Sequence, residues 1–206
     1  MEKPDALLVD FTAGNRSIWD IKESKYILYL DTEPDLTIQP DILCDNRETQ
    51  LKENSRHFAV FDPPHDYGRN KNVSIYNTPS LEVANKKWPK HYRETPPRYY
   101  GADKYKSKTE LLRYIKEAQK EIARVLVPGG VLFFKWNECK VKLSDVLEYF
   151  NMWDAYLTIP QRVQGEHSHQ TWWVLMIQNE GPWPQTELID FFNGTIKKQT
   201  KRIDET

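Results

Sequence analysis

Phe58-Ala59-Val60-Phe61-Asp62-Pro63-Pro64-His65 decides the reading of this chain. Phe58 to Phe61 is a short apolar run bounded by turn residues, as expected of a buried strand. Two prolines then end any ladder and stiffen the backbone. The residue before each proline is held extended, so the Asp62 carboxylate and nearby carbonyls project from a sheet edge. Proline brings no donor, and the corner is therefore rich in acceptors. It suits a ligand that offers N–H groups, such as an exocyclic amine. The plainer reading is a strand closed by an Asp-Pro turn.

Outward from that corner, strands and helices alternate. Ala6 to Phe11 reads as a strand, Thr12-Ala13-Gly14-Asn15 as a turn and Arg16 to Ile21 as a short helix. Further strands are expected at Tyr26 to Leu30, ending at Asp31, and at Pro40 to Asp45. Leu111 to Leu126 is the clearest helix, because Leu111, Leu112, Ile115, Ala118, Ile122, Val125 and Leu126 share one stripe. Pro128-Gly129-Gly130 is expected to end it before a strand over Val131 to Trp136. Leu143 to Phe150 reads as helix. Tyr156 to Ile159 and Trp172 to Ile177 read as an antiparallel pair at one sheet edge. This order predicts an α/β, doubly wound, mostly parallel sheet with one antiparallel edge strand. Ligands of such sheets lie beyond the carboxyl ends of the strands. Asp10 to Asn15, Asp31, Asp45 and Asp62 to His65 would all meet there.

Each tip has a chemical reading. Gly14 lets a ligand approach the backbone closely, and Asp10, Phe11, Thr12, Ala13 and Asn15 complete that turn. One glycine makes no dinucleotide fingerprint. Asp31 stands where an acid accepts from ribose hydroxyls, and Asp45 is placed to accept from an adenine amino group. Taken singly, each carboxylate is a solvated loop residue; at successive strand ends they form a pattern.

With Pro128-Gly129-Gly130, Phe134-Lys135-Trp136-Asn137-Glu138 and Thr171-Trp172-Trp173, the chain resembles a class I S-adenosylmethionine-dependent methyltransferase from about Leu7 to Ile177. It is most similar to small prokaryotic and viral enzymes with an Asp-Pro-Pro-aromatic motif. That resemblance implies a Rossmann-like sandwich, S-adenosyl-L-methionine as cofactor, and methylation of an amino nitrogen, adenine N6 in DNA or RNA above all. Carried onto this chain, Asp62 and the Pro63 carbonyl hold the amine, Pro64 stiffens the corner and His65 takes the stacking position usually held by Tyr, Phe or Trp. A small-molecule or protein nitrogen is the alternative acceptor. A catalytically silent nucleic-acid-binding subunit of the same fold is the other class.

Substrate contacts are expected after the motif. The stretch 66–108 is too long for a passive connection and reads as a substrate-facing insertion or lid. Tyr67 opens the stretch, and Lys86, Lys87, Arg93 and Arg98 are interleaved with Trp88, Tyr92, Tyr99, Tyr100 and Tyr105, a mixture that suits a phosphate backbone with unstacked bases. A tyrosine-packed lid over a small substrate has the same composition. Lys135 and Asn137, at a strand end, are expected to touch the substrate or merely terminate the strand. His167 and His169 lack further matched ligands, and no metal is expected.

The 206 residues carry a formal net charge of −1, 13% aromatic residues and two distant cysteines, Cys44 and Cys139. One methyltransferase domain over 1–180 with a flexible extension over 181–206 is the expected organisation. The near-neutral balance supplies no global pull on a polyanion. No apolar run approaches a membrane span, and Met-Glu-Lys-Pro-Asp is no signal peptide. A cytoplasmic protein with reduced thiols follows, with nucleic acid as the expected partner and room for a homodimer or partner subunit.

Overall fold

The computed structural model describes residues 3–68, 104–161 and 170–179. Lys86, Lys87, Arg93, Arg98, His167, His169 and the 181–206 extension lie outside the described residues. Strands β1 (Leu8–Asp10), β2 (Ile27–Asp31), β3 (Ile42–Leu43), β4 (Arg56–Phe61), β5 (Leu126–Asn137), β6 (Trp153–Gln161) and β7 (Thr171–Gln178) form one sheet. Their order is β3-β2-β1-β4-β5-β7-β6. β1 pairs in parallel with β2 and β4, β2 with β3, and β4 with β5. β7 runs antiparallel to both β5 and β6. The expected α/β doubly wound architecture is present. Its reversed strand is β7, one place in from the edge, so edge strand β6 again follows the direction of β5.

The apolar runs form strands because both faces of the central sheet are covered. Leu28, Tyr29 and Leu30 are all fully buried. β5 alternates instead, burying Leu132, Phe134 and Trp136 and leaving Phe133, Lys135 and Asn137 half-buried. Helix α1 (Lys108–Val125) packs Leu111, Ile115, Ala118, Ile122 and Val125 into the core. It starts three residues earlier than its apolar stripe, because Ser107 caps it by accepting from the Glu110 amide. Glu110 reaches back to accept from the Lys106 amide at 2.8 Å, a near relative of the capping box.

Three local expectations are corrected. No helix forms over Arg16 to Ile21. Arg16 takes a positive φ of 55°, and its buried guanidinium donates to the Lys22 and Gln39 carbonyls and to Glu23. It also lies 3.9 Å from the centre of the Tyr29 ring. Those bonds wind the segment into successive turns, overriding its helical spacing. Pro128-Gly129-Gly130 falls inside β5, in a bulge where pairing jumps from Arg56–Leu126 to Phe58–Val131. Gly129 has φ 70°, and a Cβ on Gly130 would stand 2.8 Å from the Leu126 Cβ. Helix α2 (Leu143–Leu147) stops short of Phe150. Tyr149 and Phe150 donate three residues back, to Val146 and Leu147, which tightens the chain out of the α-helix.

Among the described residues, no helix is long and apolar enough to cross a membrane, and no cluster of three or more potential ligands could hold a metal ion.

Candidate active site

The sheet order places its switch point between β1 and β4, since the chain leaves β1 toward β2 on one side and returns to β4 on the other. Asp10, Asp31 and Asp62 are thereby brought to the carboxyl ends of three adjacent strands.

Asp10 ends β1 and is wholly buried. Its carboxylate accepts from the Thr12 amide at 3.0 Å and from the Trp19 indole at 2.7 Å. Burial pushes its carboxyl up to about 7; the two hydrogen bonds oppose the rise, and Asp62 and Asp31 add to it. Asp10 therefore serves the turn itself. Phe11 is core, donating to the Val60 carbonyl and accepting from Asn46. Ala13 is buried and donates to the Leu30 carbonyl. The Asn15 side chain accepts from the Ile38 amide at 3.1 Å.

Gly14 is where the turn opens. Its φ is 49°, and a Cβ built on it would meet nothing within 4 Å among the described residues. The left-handed conformation favours glycine, and among the described residues the space beside it is open. Its amide donates to Asp31 at 2.8 Å. The other Asp31 oxygen accepts from the Glu33 amide at 2.9 Å. Each carboxylate oxygen has a second lone pair, so the half-buried Asp31 retains capacity for hydroxyl donors.

Asp45 lies beyond β3 and bonds to Arg47, which holds its carboxyl below the ordinary value. Arg47 also reaches Glu117 on α1 at 3.1 Å. Asp45 and Arg47 are 43% and 44% exposed. An ion pair that open contributes at most about 1 kcal/mol, so a ligand can replace it at little expense.

The corner after β4 is built differently. Its first amide, that of Asp62, donates to the Thr12 hydroxyl at 2.7 Å, fastening it to the glycine turn. The Asp62 side chain is only 6% exposed, with Lys135 Nζ 2.8 Å from Oδ2 and His65 Nε2 3.0 Å from Oδ1. Burial pushes this carboxyl up, but His65 and Lys135 outweigh it and hold it below the usual range. Pro63 is buried and Pro64 half-buried. The His65 ring meets Trp136 edge-on with centres 5.1 Å apart, and the His65 carbonyl accepts from Cys139 Sγ. His65 thus sits between Asp62 and the body of the protein.

The feet of segment 69–103 meet beside this corner. Gly68 donates to the Tyr105 carbonyl at 2.7 Å, and Lys104 Nζ donates to Thr32, next to Asp31. Tyr67 is clasped by Lys140, whose Nζ lies 4.9 Å from its ring centre and pairs with buried Asp66. Asn137 donates to the Thr171 hydroxyl at 2.7 Å, tying the ends of β5 and β7. Three contacts escaped the sequence reading, two of them made by residues it had named, Thr12 and Trp173. Trp19 fixes Asp10, the Thr12 hydroxyl joins the two tips, and Trp173 presents its ring 5.8 Å from Lys135 Nζ. Only the β5–β7 register, which opposes Lys135 to Trp173, reveals the last.

No family model matches the sequence, and no curated protein does either. Solved structures share its outline. The N-methyltransferase NodS from Bradyrhizobium japonicum, determined with S-adenosyl-L-homocysteine, is 11% identical and aligns over 85% of this chain and 78% of its own, with a TM-score of 0.49. An rRNA methylase from Streptococcus thermophilus is 15% identical over 86% and 89%, with a TM-score of 0.42. A SAM-dependent methyltransferase from Methanosarcina mazei is 8% identical over 86% and 94%, with a TM-score of 0.44. Likenesses of this size carry no argument about chemistry, which rests on the side chains above.

Proposed function

We propose that the chain is an S-adenosylmethionine-dependent methyltransferase that acts on an exocyclic amino nitrogen, adenine N6 in DNA or RNA being the favoured acceptor. One observation carries the reading. The Asp62-Pro63-Pro64 corner is bonded directly to the Gly14 turn through Thr12, so an acceptor-rich corner and an acid-flanked turn lie side by side at the carboxyl ends of β1 and β4. The residues present suit the cofactor. Among the described residues the side of Gly14 is open to a ligand, Asp31 offers lone pairs to ribose hydroxyls, and the exposed Asp45 can exchange Arg47 for an adenine amine. The carboxylates also favour a cation.

When bound, S-adenosylmethionine supplies a methyl group on a sulfonium with a good leaving group. The protein's own task is then alignment. Asp62 and the Pro63 carbonyl orient the NH2 and stabilise the positive charge that grows on nitrogen during attack. No strong base is needed beforehand, since the proton leaves the nitrogen afterwards. Lys86, Lys87, Arg93 and Arg98, with Tyr67 at the foot of their segment, are the proposed grip on a nucleic-acid backbone, and a duplex target would have to be flipped out.

A second reading has an observation of its own. Both Asp62 oxygens already face cationic or ring nitrogens of the protein, as a catalytically silent subunit would tolerate. The deciding experiment incubates the purified chain with methyl-labelled S-adenosylmethionine and pools of DNA, RNA, protein and metabolites, then analyses the labelled nucleosides. Label in N6-methyladenosine or its deoxy form supports the proposal. Label in protein or metabolites moves the acceptor, and bound cofactor with no transfer to any pool favours the silent subunit.

A further inference from the structure

We propose that Lys135 is a substrate-displaced plug: its ammonium fills the acceptor-nitrogen position at Asp62, and the productive acceptor carries an anionic group that draws it away. The inference rests on the amino-methyltransferase reading above and adds to it a class of acceptor, a phosphorylated nucleotide in preference to a free base or nucleoside.

The geometry is that of an amine already delivered. Lys135 Nζ stands 2.8 Å from Asp62 Oδ2, the separation at which a target NH2 would be held. The Asp62 side chain is 6% exposed and His65 flanks its other oxygen, so among the described residues an incoming nitrogen competes with Lys135 for the carboxylate. An ammonium has no lone pair, and Lys135 therefore holds the position without being an acceptor itself.

The plug can move. Lysine carries its charge on a flexible four-carbon stem. Lys135 is 15% exposed at the end of a strand, and the face of Trp173 lies 5.8 Å from its nitrogen, a second resting place for a cation. Pulling a lysine from a carboxylate this buried is unfavourable unless a new anion receives it. A neutral nucleoside offers its amine to Asp62 and nothing to Lys135. A nucleotide offers both partners at once, its amine to Asp62 and its phosphate to Lys135. Discrimination follows from the exchange of one ion pair for another, without any base-specific contact by Lys135.

The test is calorimetric, on full-length protein. S-adenosyl-L-homocysteine binding is measured first; its absence overturns the methyltransferase reading and the plug with it. The loaded protein is then titrated with adenosine, adenosine 5′-monophosphate and their 2′-deoxy counterparts, in the wild type and in Lys135→Met and Lys135→Gln, with circular dichroism as the check on folding. The expected result is a monophosphate preference of at least tenfold in the wild type. Both variants should lose that preference by binding the nucleosides at least tenfold more tightly. A preference unchanged by both substitutions, nucleoside affinity that falls in the variants, or cofactor-loaded protein that binds none of the probes overturns the plug, while bound S-adenosyl-L-homocysteine leaves the cofactor reading standing. A purely structural lysine would not alter the ratio between the two kinds of probe.

Discussion

The Asp62 amide donates to the Thr12 hydroxyl at 2.7 Å, so the acceptor corner after β4 and the glycine turn after β1 are held in one fixed relation. Phe11 reinforces it from below by donating to the Val60 carbonyl across the same pair of strands. Methyl transfer needs that rigidity, because donor and acceptor must be aligned to a fraction of an ångström. Thr12→Val keeps the shape and removes the acceptor, leaving a part-buried amide unpaired at about 1–3 kcal/mol. The expected outcome is a lower melting temperature together with weaker transfer, and Thr12→Ser should restore both. A valine variant as stable and active as the wild type would show that the two tips need no such bond.

Asp62→Asn tests the chemistry with minimal change of volume. It keeps a carbonyl that can accept from an amine but removes the charge that steadies positive nitrogen. Transfer is expected to fall by about 10²–10³-fold or more, the range seen when a preorganised electrostatic partner is removed. The fold should survive, since Lys135 is able to turn toward solvent when its anion is gone. Circular dichroism and a transfer assay on the same preparation separate the two effects. Undiminished transfer by the folded variant would remove Asp62 from the mechanism.

Most of the sheet was legible because parallel strands covered on both faces read as unbroken apolar runs, as Leu28 to Leu30 and Ala59 to Phe61 do. The α1 stripe was legible for a different reason, one buried face leaving apolar residues at helical spacing along its length. Arg16 was not, because its influence comes from carbonyls at Lys22 and Gln39 that only the folded chain brings to it. The bulge at Pro128 to Gly130 was hidden too, since turn residues look alike whether they precede a strand or interrupt one. In the site, the acids were readable from their places at strand tips. Their partners were not, because Lys135 meets Asp62 through β4–β5 pairing and Trp19 meets Asp10 through the path of the turn. Within local reach were only the near neighbours Thr12, Glu33, Arg47 and His65, two or three residues from Asp10, Asp31, Asp45 and Asp62.

Gly14→Ala isolates backbone conformation from space. An added methyl meets nothing within 4 Å among the described residues, so its effect on stability is assigned to the positive φ of 49°. A left-handed non-glycine residue costs about 1–2 kcal/mol. Thermal unfolding should show a loss of that size. S-adenosyl-L-homocysteine binding, measured by calorimetry, should weaken further, since the methyl then stands in the space assigned to the nucleoside. Equal losses in stability and in affinity would mean that nothing occupies that space in the complex.

Asp10 and Asp62 have opposite signatures in pH. Burial raises the Asp10 carboxyl from 3.8 to about 7, so between those values the folded protein binds a proton that the unfolded chain has released. Stability from this group is complete below the unfolded value and is lost as pH rises through about 7. Asp62 is held below its ordinary value by His65 and Lys135, against the effect of burial. Its contribution is present above the ordinary carboxylate range and disappears as pH falls through the depressed folded value. Denaturant titrations from pH 4 to pH 8 should therefore show wild-type stability declining from the acid end up to about pH 7 and levelling off above it, in a component that Asp10→Asn lacks. Asn accepts from only one of the two donors that Thr12 and Trp19 present, so the variant is expected to be weaker at pH 4 and to close the gap by pH 8. A constant difference between the two proteins at every pH would mean that Asp10 does not change protonation on folding.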